Sequence, residues 1–122
     1  MSRSNVERRS HARFPHTFSI EGPADADGSV ARMTASDLSL GGLYCSSSRD
    51  YPEMTRLAVR LRLPAERDDM PIDVEAVVVR REQLESASGN GRYELALFFT
   101  GMSDDARETL ARFLAQRVTA SS

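Results

Sequence analysis

The sequence predicts a mainly β fold, a six-stranded antiparallel barrel with one C-terminal helix and a flexible N-terminal arm. Three observations carry that prediction. Two segments, 56–63 and 72–78, alternate apolar with charged residues at a period of two. Connections between the apparent strands are short and marked by Gly, Pro, Asn and Asp. Only the stretch from Ser103 to Val118 repeats its apolar residues at helical spacing, which leaves strands to build everything before it.

Residues 1–12 are polar, without either periodicity, and read as the arm. Phe14 to Glu21 is the first expected strand, through Phe14, Phe18 and Ile20. Gly22-Pro23 to Asp27-Gly28 reads as a turn-rich connection. Ser29–Ser36 is the second strand, with Val30 and Met33 as its apolar contributors, and Leu43–Ser46 is a short third. In the fourth, Leu57, Val59, Leu61 and Leu63 face inward, and Arg56, Ala58, Arg60 and Arg62 face outward. Pro64–Pro71 is a charged loop. Ile72–Arg81 is the fifth strand, and Val77 and Val79 make its later half apolar on both faces, as if something covers it. Gly89-Asn90-Gly91 is a strong turn signal, and Arg92–Thr100 is the sixth strand. Ser103 caps the helix, Asp104 and Asp105 suit its positive end, and Ala106, Leu110, Phe113, Leu114 and Val118 form its apolar stripe. Arg107, Arg112 and Arg117 lie mainly off that stripe, and the helix is expected to close an open end or edge of the barrel.

A chain of 122 residues is one domain, large enough to bury a core without staples. Its net charge of −2 disfavours a general DNA or RNA binder, which needs a broad cationic face. All 16 basic residues are arginine, and the first sixteen positions hold Arg3, Arg8, Arg9 and Arg13 against Glu7 alone. One cysteine, Cys45, excludes an internal disulfide and fits a reducing compartment. With no apolar run of spanning length, membrane insertion is not expected and a cytoplasmic domain is the default.

Two signatures carry the chemistry, Arg9-Ser10-His11-Ala12-Arg13 and Asp37-Leu38-Ser39-Leu40-Gly41-Gly42. The four-residue spacing brings Arg9 and Arg13 to one side of either a helical turn or an extended arm. Each guanidinium can fork onto a phosphate or a guanine edge and stack on a purine. Asp37, an acceptor when ionised, complements the ring donors of guanine that arginine leaves unmet. Ser39 can donate to a phosphate or base, while Gly41 and Gly42 permit positive φ and a close approach of ligand to backbone. Together they describe a site for a nucleotide.

In this order and context the two signatures resemble the halves of the PilZ domain signature, RxxxR followed by [D/N]xSxxG. The resemblance implies a six-stranded PilZ-type barrel with a C-terminal helix over residues 7–118, flanked by disordered tails at 1–6 and 119–122. It implies a bacterial receptor for cyclic di-GMP, without catalytic activity and without a cofactor other than that ligand. It assigns Arg9 and Arg13 to guanine and phosphate contacts with Arg8 as helper, and Asp37, Ser39, Gly41 and Gly42 to the barrel-surface half of the site. Ala96 departs from the pattern, because many relatives carry glycine there.

An Arg-x-x-x-Arg pair is weakly specific in so arginine-rich a chain, and Arg56 and Arg60 form a second one; Asp-x-Ser-x-x-Gly occurs only once. The bland alternatives are a solvated tail and an ordinary turn. Clamping an arm costs roughly 1–2 kcal/mol per residue, while micromolar binding needs a net of about −8 kcal/mol, so the expected device is an arm that orders on binding and relays occupancy to a downstream protein. The competing function is a PilZ-like protein-interaction module that binds no nucleotide. A single-strand nucleic-acid barrel lacks the clustered aromatic residues it needs. A monomer or weak homodimer is expected. His11 and His16 lack companions at metal-ligand spacing, and Cys45 reads as a strand residue.

Overall fold

The computed structural model describes residues 16–24, 28–64, 70–84 and 92–120. Its strands are β1 Phe18–Ala24, β2 Val30–Ser36, β3 Gly42–Ser47, β4 Arg56–Leu63, β5 Met70–Leu84 and β6 Arg92–Gly101, followed by helix α1, Asp104–Ala120. They close into a barrel in the order β1-β2-β3-β6-β5-β4, every pairing antiparallel. A simple meander would have joined β1 to β6. Instead β4 returns to β1, and β6 inserts between β3 and β5.

Alternation decides which side chains fill the interior. Phe18 and Ile20, Ala31, Met33 and Ala35, Leu43 and Cys45, the leucines and valine of β4, Ile72 to Val78 in steps of two, and Leu95, Leu97 and Phe99 are all buried. Several strand bounds and one burial differ from expectation. Gly22 and Pro23 belong to β1 rather than to a turn, tolerated because the pairing with β2 shifts register between Glu21 and Ala24. Val30, read as an apolar contributor of the second strand, is 42% exposed, and Ala31 takes the inward position. β5 begins at Met70 and runs to Leu84, longer at both ends than its alternation indicated. Phe14 and the Gly89-Asn90-Gly91 turn lie outside the described residues.

The closed ring removes every edge, so the helix covers no edge strand. Ser103 caps it: its Oγ accepts the Ala106 N–H at 3.0 Å. Leu110, Phe113 and Leu114, spaced three and four apart, are buried within the barrel's own core cluster. Each contributes roughly 1.5–3 kcal/mol of burial, enough to fasten a helix that would be marginal alone. The side chains of Arg117 and Val118 lie outside the described residues. Among the described residues, no helix is long and apolar enough to cross a membrane.

Cys45 is an interior strand residue, its Sγ 4.0 Å from Met33 Sδ. Burial, helped by the charge of Glu94, pushes its thiol up from 9.0 to about 12. Between those values the unfolded chain releases a proton that the folded chain keeps, so stability should fall as pH rises above about 9. The thiol should also resist iodoacetamide in native buffer at pH 8 and react fully in denaturant. Stoichiometric labelling of the native protein within minutes, read by mass spectrometry, would contradict this burial.

Outside, β4 is laced to its neighbours. Arg60 bonds Asp73 through Nε at 2.8 Å and Nη2 at 3.3 Å, and Arg62 Nε bonds Glu21 at 2.6 Å. These bonds hold the Asp73 and Glu21 carboxyls below the ordinary range. The second Arg-x-x-x-Arg pair therefore has one member, Arg60, already engaged in the barrel wall.

Candidate functional site

The turn from Asp37 to Gly42 joins β2 to β3 and is built tightly. Ser39 N–H donates to Gly42 O at 2.9 Å, and Phe99 N–H donates to Gly41 O at 2.8 Å, which ties the corner to β6. Ser39 Oγ accepts the Gly41 N–H at 3.2 Å and donates to Gly42 O at 3.3 Å. The hydroxyl thus spends its bonds holding the turn, and its outward donation would require the longer of the two to break. Leu38, between the two polar residues, is wholly buried and anchors the corner in the core.

The left-handed residue is not a glycine. Asp37 has φ 53°, whereas neither Gly41 nor Gly42 is among the positive-φ residues. Aspartate tolerates this region because its short carboxylate can bond locally, and Ser36 Oγ donates to Asp37 Oδ2 at 3.2 Å. One bond leaves most of the acceptor capacity of the carboxylate open.

The two glycines differ. A Cβ on Gly42 would lie 2.1 Å from the backbone oxygen of Leu97, so only glycine lets β3 approach β6 there. A Cβ on Gly41 would meet nothing within 4 Å. Packing therefore accounts for glycine at 42 and leaves open space above 41, on the exposed side of the corner.

Arg8, Arg9 and Arg13 lie outside the described residues, so the structure brings together Asp37, Ser39, Gly41 and Gly42 only. Around them it adds two residues that sequence reasoning passed over, Tyr44 at 45% exposure and Phe98 at 54%. Tyr44 pairs with Ser36 across β2, and Gly42 pairs with Phe98 across β6. Alternation along β6 was the available signal, because Leu95, Leu97 and Phe99 facing inward force Phe98 outward. No group of three or more metal-ligating side chains occurs among the described residues. What the corner offers chemically is a fixed carboxylate acceptor beside accessible backbone and an aromatic surface.

Comparison with known proteins matches residues 7–116 to the model of the PilZ domain. A comparison with curated proteins finds no match. Among solved structures, the Bacillus subtilis inhibitor of motility MotI/DgrA superposes with a TM-score of 0.73 at 19% identity, covering 94% of this chain and 53% of that one. The PilZ domain of Escherichia coli YcgR, solved with c-di-GMP, gives 0.62 at 18% identity, covering 93% and 94%. Klebsiella pneumoniae MrkH gives 0.67 at 16% identity, covering 89% and 48%. The chain thus spans about half the length of MotI and of MrkH. At these identities the structures report the fold, while the family model covers nearly the whole sequence. The chain belongs to the PilZ domain family.

Proposed function

We propose that this chain is a non-catalytic receptor for cyclic di-GMP. The single observation that carries the reading is the corner itself: a left-handed Asp37 with spare acceptor capacity, next to a Gly41 whose lack of a side chain serves no packing need. Asp37 accepts from the N1–H and N2–H₂ donors of one guanine. The arginines Arg8, Arg9 and Arg13 supply the forked donors for phosphate and for the guanine O6/N7 edge. Ser39 and Gly42 hold the corner in shape, and Gly41 leaves room for the ligand. Binding orders the segment that carries the arginines and changes the surface offered to a partner protein, which is how occupancy is relayed. Family membership and the c-di-GMP complex of the YcgR PilZ domain support the choice of ligand.

Isothermal titration with cyclic di-GMP, beside GTP and the linear dinucleotide, tests it. Saturable binding of the cyclic ligand alone is expected. Absence of heat and of any chemical-shift change at millimolar cyclic di-GMP would leave a protein-interaction module as the function.

A further inference from the structure

The ring has no edge strand, yet its six seams are not equally knit. β4 pairs with β5 along its whole length, from Arg56–Val77 to Leu63–Met70. With β1 it pairs at two positions only, Ile20–Leu61 and Glu21–Arg60. Beyond Glu21, β1 follows β2 instead. A Cβ on Gly22 would lie 2.8 Å from Met33 Cε and 3.3 Å from Ala31 Cβ, so glycine lets β1 lean onto β2, and Ala24 pairs with Val30. Pro23, without an N–H, cannot donate to a ladder with β4. Alternate residues of Arg56–Val59 therefore turn their N–H and C=O groups toward the seam, where no described residue pairs with them.

The parted strands frame a groove of about 690 Å³, within the ~300–1,000 Å³ of ligand-sized sites. Ala24, Val30, Ala58 and Met102 give it apolar walls, and Glu21, Asp73 and Glu75 set three carboxylates against the one guanidinium of Arg60. Two of the three are spent, Asp73 on Arg60 and Glu21 on Arg62. Glu75 is not, since no described residue bonds it or forms an ion pair with it. Gly101 makes room for its carboxylate: a Cβ there would stand 3.3 Å from Glu75 Oε1. In the ring the β1–β4 seam lies three seams from β3–β6 in either direction, on the far side of the barrel from the Asp37–Gly42 corner.

We propose that this groove receives an extended segment of a partner protein by strand addition against β4, with a lysine or arginine of that segment on Glu75. Unpaired strand backbone calls for another backbone, which a free cation or polyamine does not supply. Small and apolar walls accept the short side chains of an extended segment, while Glu75 selects a positive one. An acidic segment would instead set like charges together at Glu75 and Asp73. Because the corner is on the opposite side, nucleotide and segment can be held at once.

The probe is a capped pentapeptide of alternating valine and arginine, titrated into the full chain and followed by proton–nitrogen NMR. Saturable shifts are expected at the amides of Gly22, Ala58, Val59 and Gly101, with a millimolar Kd, and none at Ser39 or Gly41. The same peptide with glutamate for arginine, or N-methylated throughout so that it has no N–H to pair, should shift none of them. Glu75→Gln should weaken the arginine peptide roughly 3- to 10-fold, the difference narrowing as salt screens the charge. Ala58→Arg, which sets a guanidinium opposite Glu75 across the β4–β5 ladder, should abolish peptide binding. Both positions are exposed, so the melting temperature and the cyclic di-GMP titration should not change. No saturable shift up to about 10 mM peptide overturns the proposal, as does an N-methylated peptide that binds equally well. Unaltered affinity in Glu75→Gln overturns the cationic anchor. If the groove amides shift on concentrating the protein alone, a second copy fills the groove and the proposal is equally wrong. None of these outcomes touches the receptor reading, which the cyclic di-GMP titration tests by itself.

Discussion

Gly42→Ala should lower the stability of the barrel by about 3 kcal/mol, a fall in melting temperature of about 10 °C for a domain this size. The added methyl would sit 2.1 Å from Leu97 O, a backbone atom in the centre of β6 that cannot swing aside as a side chain would. Relief requires β3 and β6 to separate, in the ladder that runs from Gly42–Phe98 to Ser47–Tyr93. The Ser39–Gly42 and Gly41–Phe99 bonds that hold the corner sit at the start of that ladder, so ligand affinity should fall with stability. Gly41→Ala is the matched comparison. Nothing lies within 4 Å of its would-be Cβ and its φ is not positive, so stability should stay within about 0.5 kcal/mol of the parent. Its methyl would nevertheless enter the open space above the corner and weaken cyclic di-GMP. Urea unfolding and titration of both variants check this, and equal stability of the two would refute the close-approach argument.

Replacing Arg9 and Arg13 together by alanine should abolish detectable binding while leaving the melting curve unchanged. Each fork onto a guanine edge or phosphate is worth about 1–3 kcal/mol, so the pair accounts for a loss of roughly 100-fold or more from micromolar affinity. Arg60→Ala is the control, because it belongs to the other Arg-x-x-x-Arg pair and is bonded at both Nε and Nη2 to Asp73. It should bind like the parent. Calorimetry on the three proteins decides the matter: retention in the double variant would mean that the corner and its aromatic border hold the ligand without the arginines.

Much of the fold was legible because alternation is a local property. Leu57 to Leu63 and Ile72 to Val78 announce strands whatever their partners, and Ser103 with Leu110, Phe113 and Leu114 announces a capped amphipathic helix. Legibility failed where a pairing partner sets the outcome. Gly22 and Pro23 resemble a turn in any one-dimensional reading, yet β2 draws them into β1 across a register shift. The bulge at Val79 is likewise invisible until β6 is aligned with β5.

The candidate site divides in the same way. Asp37, Ser39, Gly41 and Gly42 could be picked out because their residue types are rare in that order, but their physical roles could not. Positive φ was expected at the glycines and falls on Asp37; close approach was expected to a ligand and at Gly42 is to Leu97 O. Leu38 reads as filler and is the buried anchor.

By itself the sequence determined six strands, one helix and the identity of the polar corner, since these depend on periodicity and on side-chain chemistry within a few residues. Only the tertiary structure decided that β6 lies between β3 and β5. That choice sets Phe98 and Ala96 against Gly42 and Tyr44, more than fifty positions earlier in the chain. Strand order is a property of long-range pairing and barrel closure, to which local propensity is blind.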